Sequence, residues 1–213
     1  MDTKSTGIGL VCLTLLATVF SLALYPGLPT VMTTHGNAMG QVGGVAIKSC
    51  NIFLFPLVLG FLFFIWLLIP AIEPLKKNLH AFRSSYNGFW LVLSVFVFYT
   101  FTLTIGQNTG SEFNFIQALA PAIALLFAAV AVLLGHAKRN YFIGVRTPWT
   151  LTSDRVWNRT HVLASHLFNF CAVWALAGVI YPEYFVLYTC VPLLLTVIVT
   201  VVYSYIEYKR EQV

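Results

Sequence analysis

Acid–base chemistry in this chain would have to centre on His161, which follows Asp154 by two helical turns and Asn158 by three residues. An acid that orients an imidazole can set up proton transfer, yet no nucleophile or metal set stands beside this pair. The sequence has no His-Glu-x-x-His helix, no Gly-x-Ser-x-Gly turn and no pair of carboxylates inside an apolar run. A zinc site would want ligands three or four residues apart on one helix. His161 and His166 are five apart and diverge by about 140° on a helical wheel. Cys12, Cys50, Cys171 and Cys190 lie in or at the ends of different apolar runs, without ligand spacing, and read as small core residues. Neither a metal nor another cofactor is expected, and an enzyme is the less favoured class.

The segment around His161 is built for recognition or positioning. Thr147-Pro148 predicts a capped turn with proline at the first helical position. Ser153 (or Thr152) predicts the cap of a longer helix, with Asp154 in its first turn at the positive end of the dipole. On that helix Asp154, Asn158 and His161 share one stripe. Arg155, Arg159 and His166 lie roughly 100–140° around, and Val156, Trp157, Thr160, Leu163, Ala164, Leu167 and Phe168 fill the far side. The pattern predicts an amphipathic stretch that runs on into an apolar one, with its arginines at headgroup level. Trp149 and Trp157 suit an interfacial aromatic belt; alternatively Trp149, Arg146 and Thr147 pin the loop beneath a helix bundle or face a partner. Arg146 stands between Gly144 and Pro148, two residues that restrict the backbone in opposite ways.

The elements that hold this segment are membrane spans. Of 213 residues, 59% are hydrophobic and 9% charged, too little polar surface to coat a water-soluble globule. Apolar runs at about 7–25, 51–72, 88–105, 115–135, 166–181 and 184–205 approach the ~20 residues that cross a bilayer as helix. The fold class expected is all-α: a polytopic membrane protein with six transmembrane helices and a cytoplasmic amphipathic helix before the fifth. The first run is expected to be a retained helix rather than a cleaved signal peptide. Ala120, Ala124 and Ala128 form a small-residue stripe that predicts close packing of the fourth span. Two modules are expected, residues 1–75 with an outer loop and residues 76–213 with four helices.

Charge predicts sidedness. Lys4, Lys76, Lys77, Arg83, Lys138, Arg139, Arg146, Arg155, Arg159, Lys209 and Arg210 fall on one side of a six-span topology, and Lys48 alone on the other. The positive-inside rule then puts both termini in the cytoplasm. The net charge of +5 implies attraction to anionic lipid headgroups. Nucleic-acid binding is not expected, because the basic residues are scattered over four short segments.

Gly144-Val-Arg-Thr-Pro-Trp-Thr-Leu151, followed by Val156-Trp-x-x-Thr-His161, resembles the signature of the SdpI family. Leu28-Pro29 and Thr34-His35-Gly36-Asn37 with Gly40 are similar to the small N-terminal domain that often accompanies it. Gly36 stands where an aromatic is usual, Gln41 where an acid is usual, and Ala164 where the family carries glycine. The resemblance implies a multi-pass immunity protein of the bacterial cytoplasmic membrane. Such a protein protects the cell from a secreted membrane-active toxin peptide and in some members holds a cytoplasmic transcriptional repressor. On that basis the candidate binding residues are Gly144, Arg146, Thr147, Pro148, Trp149, Thr150, Ser153, Asp154, Trp157, Thr160 and His161 on the inner side, with His35 and Asn37 on the outer. Those two groups would form separate recognition surfaces. The other class carried forward is a small transporter or channel for an uncharged solute. Ion coupling is disfavoured, since no Asp, Glu, Lys or Arg lies at the centre of a span.

Overall fold

The computed structural model describes residues 1–36 and 42–212. Helix α1 (Thr3–Leu24) is followed by strands β1 (Val31–Gly36) and β2 (Val42–Ile47), then by α2 (Lys48–Ile72), the short α3 (Lys76–Ala81) and α4 (Arg83–Asn108). After these come α5 (Phe115–His136), the single-turn α6 (Pro148–Thr152), α7 (Asp154–Ala175), the short α8 (Ala177–Ile180) and α9 (Phe185–Glu211). Among the described residues, six helices are long and apolar enough to cross a membrane, as the hydropathy pattern predicts. At 1.5 Å per residue, even the 22 residues of α5 reach about 33 Å, enough for a hydrocarbon layer of ~30 Å.

Capping marks where several of these helices begin. The Asp2 carboxylate accepts the Ser5 N–H at the start of α1. Asn114 accepts from Ile116 and Gln117 at the start of α5, and Ser153 accepts from Val156 at the start of α7. Each cap satisfies backbone donors that a helix end leaves open. The polar stretch after Ser153 and the fifth span form one continuous helix, so the span is longer than its apolar part.

Helix α4 packs on α1, α2 and α5; α5 in turn packs on α7, and α7 on α9. Ala120 and Ala131 are fully buried and Ala124 nearly so, consistent with close approach along α5, although Ala128 is only partly covered. A Cβ added at Gly135 would come 3.1 Å from Ser165 Oγ, so the α5–α7 crossing is tight there. Outward-facing apolar side chains such as Leu57, Val173 and Ile180 are mostly exposed, as expected where the solvent is lipid.

The connection between α1 and α2 is not irregular. β1 and β2 form an antiparallel ribbon pairing Val31 with Ile47, Met32 with Ala46 and Thr33 with Val45. β-branched residues alternate along both arms, a strand signal within the loop expected here. Met32 turns inward and is buried with Leu28, Ile52 and Phe101. At the base of the ribbon the Lys48 ammonium bonds the Tyr25 and Leu28 carbonyls and lies 4.5 Å from the centre of the Tyr25 ring. The isolated cation at this end therefore ties down the turn after α1.

Candidate functional site

The opposite end of the bundle gathers both chain termini and the segment 137–153, and it is held by side chains reaching backbone groups. The N-terminal amine bonds Ser84 Oγ, and Asn87 Nδ2 donates to Thr3 Oγ1. Asn78 Nδ2 donates to the Arg139 carbonyl at 2.7 Å. Glu73, fully buried, accepts the N–H of Leu75 and the N–H of Tyr141, tying the end of α2 to the loop after α5.

Asn140 organises the first half of that loop. Its Oδ1 accepts the N–H groups of Phe142 and Ile143, and its Nδ2 donates to the carbonyls of Lys138 and Ile143. A buried amide that uses both its ends in this way substitutes for regular secondary structure. Arg139 ties the second half: its Nη1 donates to the Leu151 carbonyl, and its Nε lies 2.8 Å from Asp154 Oδ1.

The loop then closes over α7. Val145 N–H donates to His161 Nε2 at 3.0 Å, while His161 Nδ1 lies 2.8 Å from the Trp157 carbonyl. Since Nε2 accepts, Nδ1 must carry the proton and donate, so the neutral Nδ1–H tautomer satisfies both nitrogens. The ring stacks on Trp157 with centroids 3.9 Å apart and planes 16° from parallel. Trp157 Nε1 donates to the Ala137 carbonyl at 2.8 Å, pinning the end of α5.

Gly144 shows why this closure needs its particular residue. Its φ of +116° is one that side-chain-bearing residues rarely adopt, and a Cβ there would lie 2.2 Å from His161 Nε2. Three residues on, Thr147 caps α6 by accepting the Thr150 N–H, and Thr150 Oγ1 accepts the Thr147 N–H in return. Thr150 Oγ1 also donates to the Val145 carbonyl at 2.8 Å, so the one hydroxyl holds both sides of the turn. Pro148 occupies the first position of α6 as predicted. Trp149 donates to Ser204 Oγ at 2.7 Å and packs on Tyr205 and Tyr208, fastening α6 to α9. Nearby, buried Glu207 of α9 is paired with Arg159 at 2.6 Å and Arg210 at 2.9 Å.

These contacts bring the motif residues of segment 144–161 together but alter several expected placements. Trp157 is not an interfacial anchor: it is fully buried, as are Thr150 and Thr160. His161 keeps its place on the stripe with Asp154 and Asn158, but it is not polar surface. It sits at the edge of the buried face, where the returning loop covers it, while Asp154 pairs with Arg139 instead. The helical wheel places His161 correctly in angle but has no knowledge of a loop coming back over that edge. Arg146 is exposed, with Nη1 bonded to the Tyr141 carbonyl. His35 lies in β1 opposite Gly44, and Asn37 lies outside the described residues.

Asn140, Glu73 and Arg139 were missed as members of this assembly. Asn140 carried a usable signal, since asparagine readily bonds backbone groups two residues on. The bonds from Glu73 and Arg139 span 68 and 12 residues, and no local pattern announces such partners.

Residues 136–204 match the SdpI/YfhL protein family. The resemblance to the SdpI family holds. The chain is also similar to the immunity protein SdpI of Bacillus subtilis (strain 168), with 26% identity over 202 residues, covering 94% of this chain and 93% of that one. No solved structure matches the chain significantly. The SdpI-family match begins at the C-terminal end of α5 and takes in the loop, α6, α7 and most of α9. It therefore encloses the Gly144–His161 closure described above, and the resemblance to the relative extends through the hairpin end as well. With its six apolar helices, the chain is a multi-pass membrane protein.

Proposed function

We propose that this membrane protein confers immunity against a secreted, membrane-active peptide toxin. The observation that carries this is similarity to an immunity protein along 94% of the chain, not merely along the motif. In this reading the basic end lies in the cytoplasm together with both termini, because eleven of the twelve Lys and Arg residues gather there. The hairpin end then faces outward and meets the toxin. The ribbon supports that role: one face is seated on the core through Met32, while Val31, Val45 and Ile47 share the opposite face and stand 56–66% exposed. The inner segment, with exposed Arg155, is the surface for a cytoplasmic repressor, and its buried motif residues hold that surface in shape.

Survival under toxin challenge tests this. Cells expressing the chain should outgrow empty-vector cells when exposed to the secreted peptide. Substituting Val45→Ser with Ile47→Ser should remove that protection at matched membrane expression, while Arg146→Ala should leave it. Equal killing with and without the wild-type chain would overturn the proposal. Protection that depends on Arg146 and ignores the ribbon would overturn the assignment of sides.

A further inference from the structure

The geometry points to a binding site for one anionic membrane lipid at the basic end, its phosphate on Arg146 and an acyl chain in the cavity behind that residue. The cavity holds about 640 Å³ and is walled by Phe89 of α4, Leu134 of α5, Phe168 of α7 and Val197 of α9, with the 142–147 loop closing one side. That volume falls in the range of sites for small molecules. Its walls are overwhelmingly apolar, and a cavity lined this way offers water too few polar partners to be filled by it. Val197 and Val201, on its α9 side, are 51% and 40% exposed on a membrane-spanning helix, so the opening faces lipid tails.

Arg146 supplies the other half of the recognition. It is the one charged residue in the cavity lining. Among the described residues no carboxylate pairs with it, and its recorded bond uses Nη1 alone, to the Tyr141 carbonyl. The remaining guanidinium donors are free for an anion, and the fork geometry of arginine suits a phosphate. The loop bonds that close Gly144 and Val145 over His161 fix the backbone that carries Arg146, so the cation is placed at the rim before a ligand arrives. An apolar slot open to lipid, with a single cation at its mouth on the basic end of the bundle, matches the two halves of an anionic phospholipid. This inference does not depend on the immunity reading, and its readout is lipid retention rather than survival.

The test is native mass spectrometry of the full chain released from nanodiscs of equal phosphatidylglycerol and phosphatidylcholine. Wild type should retain phosphatidylglycerol over phosphatidylcholine by about fivefold, the preference one interfacial arginine supplies. Arg146→Ala should bring that ratio to about one, whereas Arg155→Ala, an exposed arginine outside the cavity lining, should leave it unchanged. Val197→Phe, at the exposed rim, should reduce the retention of both lipids, and excess inorganic phosphate should not displace the bound lipid. Equal retention of both lipids by wild type, equal loss in the two arginine variants, unaltered retention in Val197→Phe, or displacement by phosphate alone would each overturn the site.

Discussion

The two ends of the bundle solve the same problem, ordering a connection between spans, by opposite means. The hairpin end uses a backbone ladder, so its side chains are released from structural duty on one face, and Val31, Val45 and Ile47 remain exposed. The basic end has almost no regular structure between α5 and α7, yet His161, Asn140, Thr150, Arg139 and Trp157 each hold a backbone group there. A connection stabilised by side chains is intolerant of substitution, because each residue satisfies a buried or half-buried backbone group that lies outside any regular ladder. A ladder leaves sequence free on its open face. A dense motif at the basic end therefore need not signal direct contact with a ligand.

The contrast breaks most sharply at Gly144. Gly144→Ala combines a disfavoured φ with a collision at His161, and should destabilise the protein by about 3 kcal/mol. Thermal unfolding in detergent would register it; an unaltered melting temperature would mean the loop does not close on α7 as described. Next in size, His161→Ala leaves the half-buried Val145 N–H without its acceptor and removes the stacked neighbour of Trp157, at a cost of about 2 kcal/mol. Proteolysis of the 140–147 segment should accelerate in that variant, and resistance equal to wild type would remove the role assigned to the imidazole.

At the hairpin end the described anchors include a pair of asparagines, Asn51 and Asn108, on Thr33. Asn108 accepts the Thr33 N–H and donates to the Thr33 carbonyl, clasping the ribbon to α4. Asn108→Ala should cost about 1 kcal/mol and raise hydrogen exchange in β1 and β2 while leaving the 137–153 segment protected. A change spread over both ends would show that the two are coupled. Smallest of all, Val45→Thr on the open face should alter stability by no more than about 0.5 kcal/mol. A larger loss of melting temperature would mean that this face is covered in the membrane by something already part of the fold.

Much of the basic-end assembly is legible in outline in the sequence. Thr147-Pro148 marked α6, and Ser153-Asp154 marked the start of α7, because caps are local events between residues three apart. The continuity of α7 through its polar start followed from amphipathic periodicity. What periodicity could not supply was the partner of each face. Trp157 carries an indole that suits an interface, but burial depends on α5 and the loop arriving from elsewhere. His161 lay beside Asp154 on the wheel, and a wheel describes only one helix. The alternation of Val31–Thr33 and Val45–Ile47 carries a strand signal, but the glycines beside it weaken that signal, and only the pairing of the two arms defines the ribbon.

Hydropathy and charge determined by themselves that six helices cross a bilayer and that the cations gather at one end, because both are sums over many residues and tolerate local error. The tertiary structure alone decided that the Gly144–His161 motif is a closure, that Glu73 reaches Tyr141, and that a lipid-facing cavity stands behind Arg146. Each of those depends on groups distant in sequence meeting within a few ångströms, and only the packed bundle specifies such meetings.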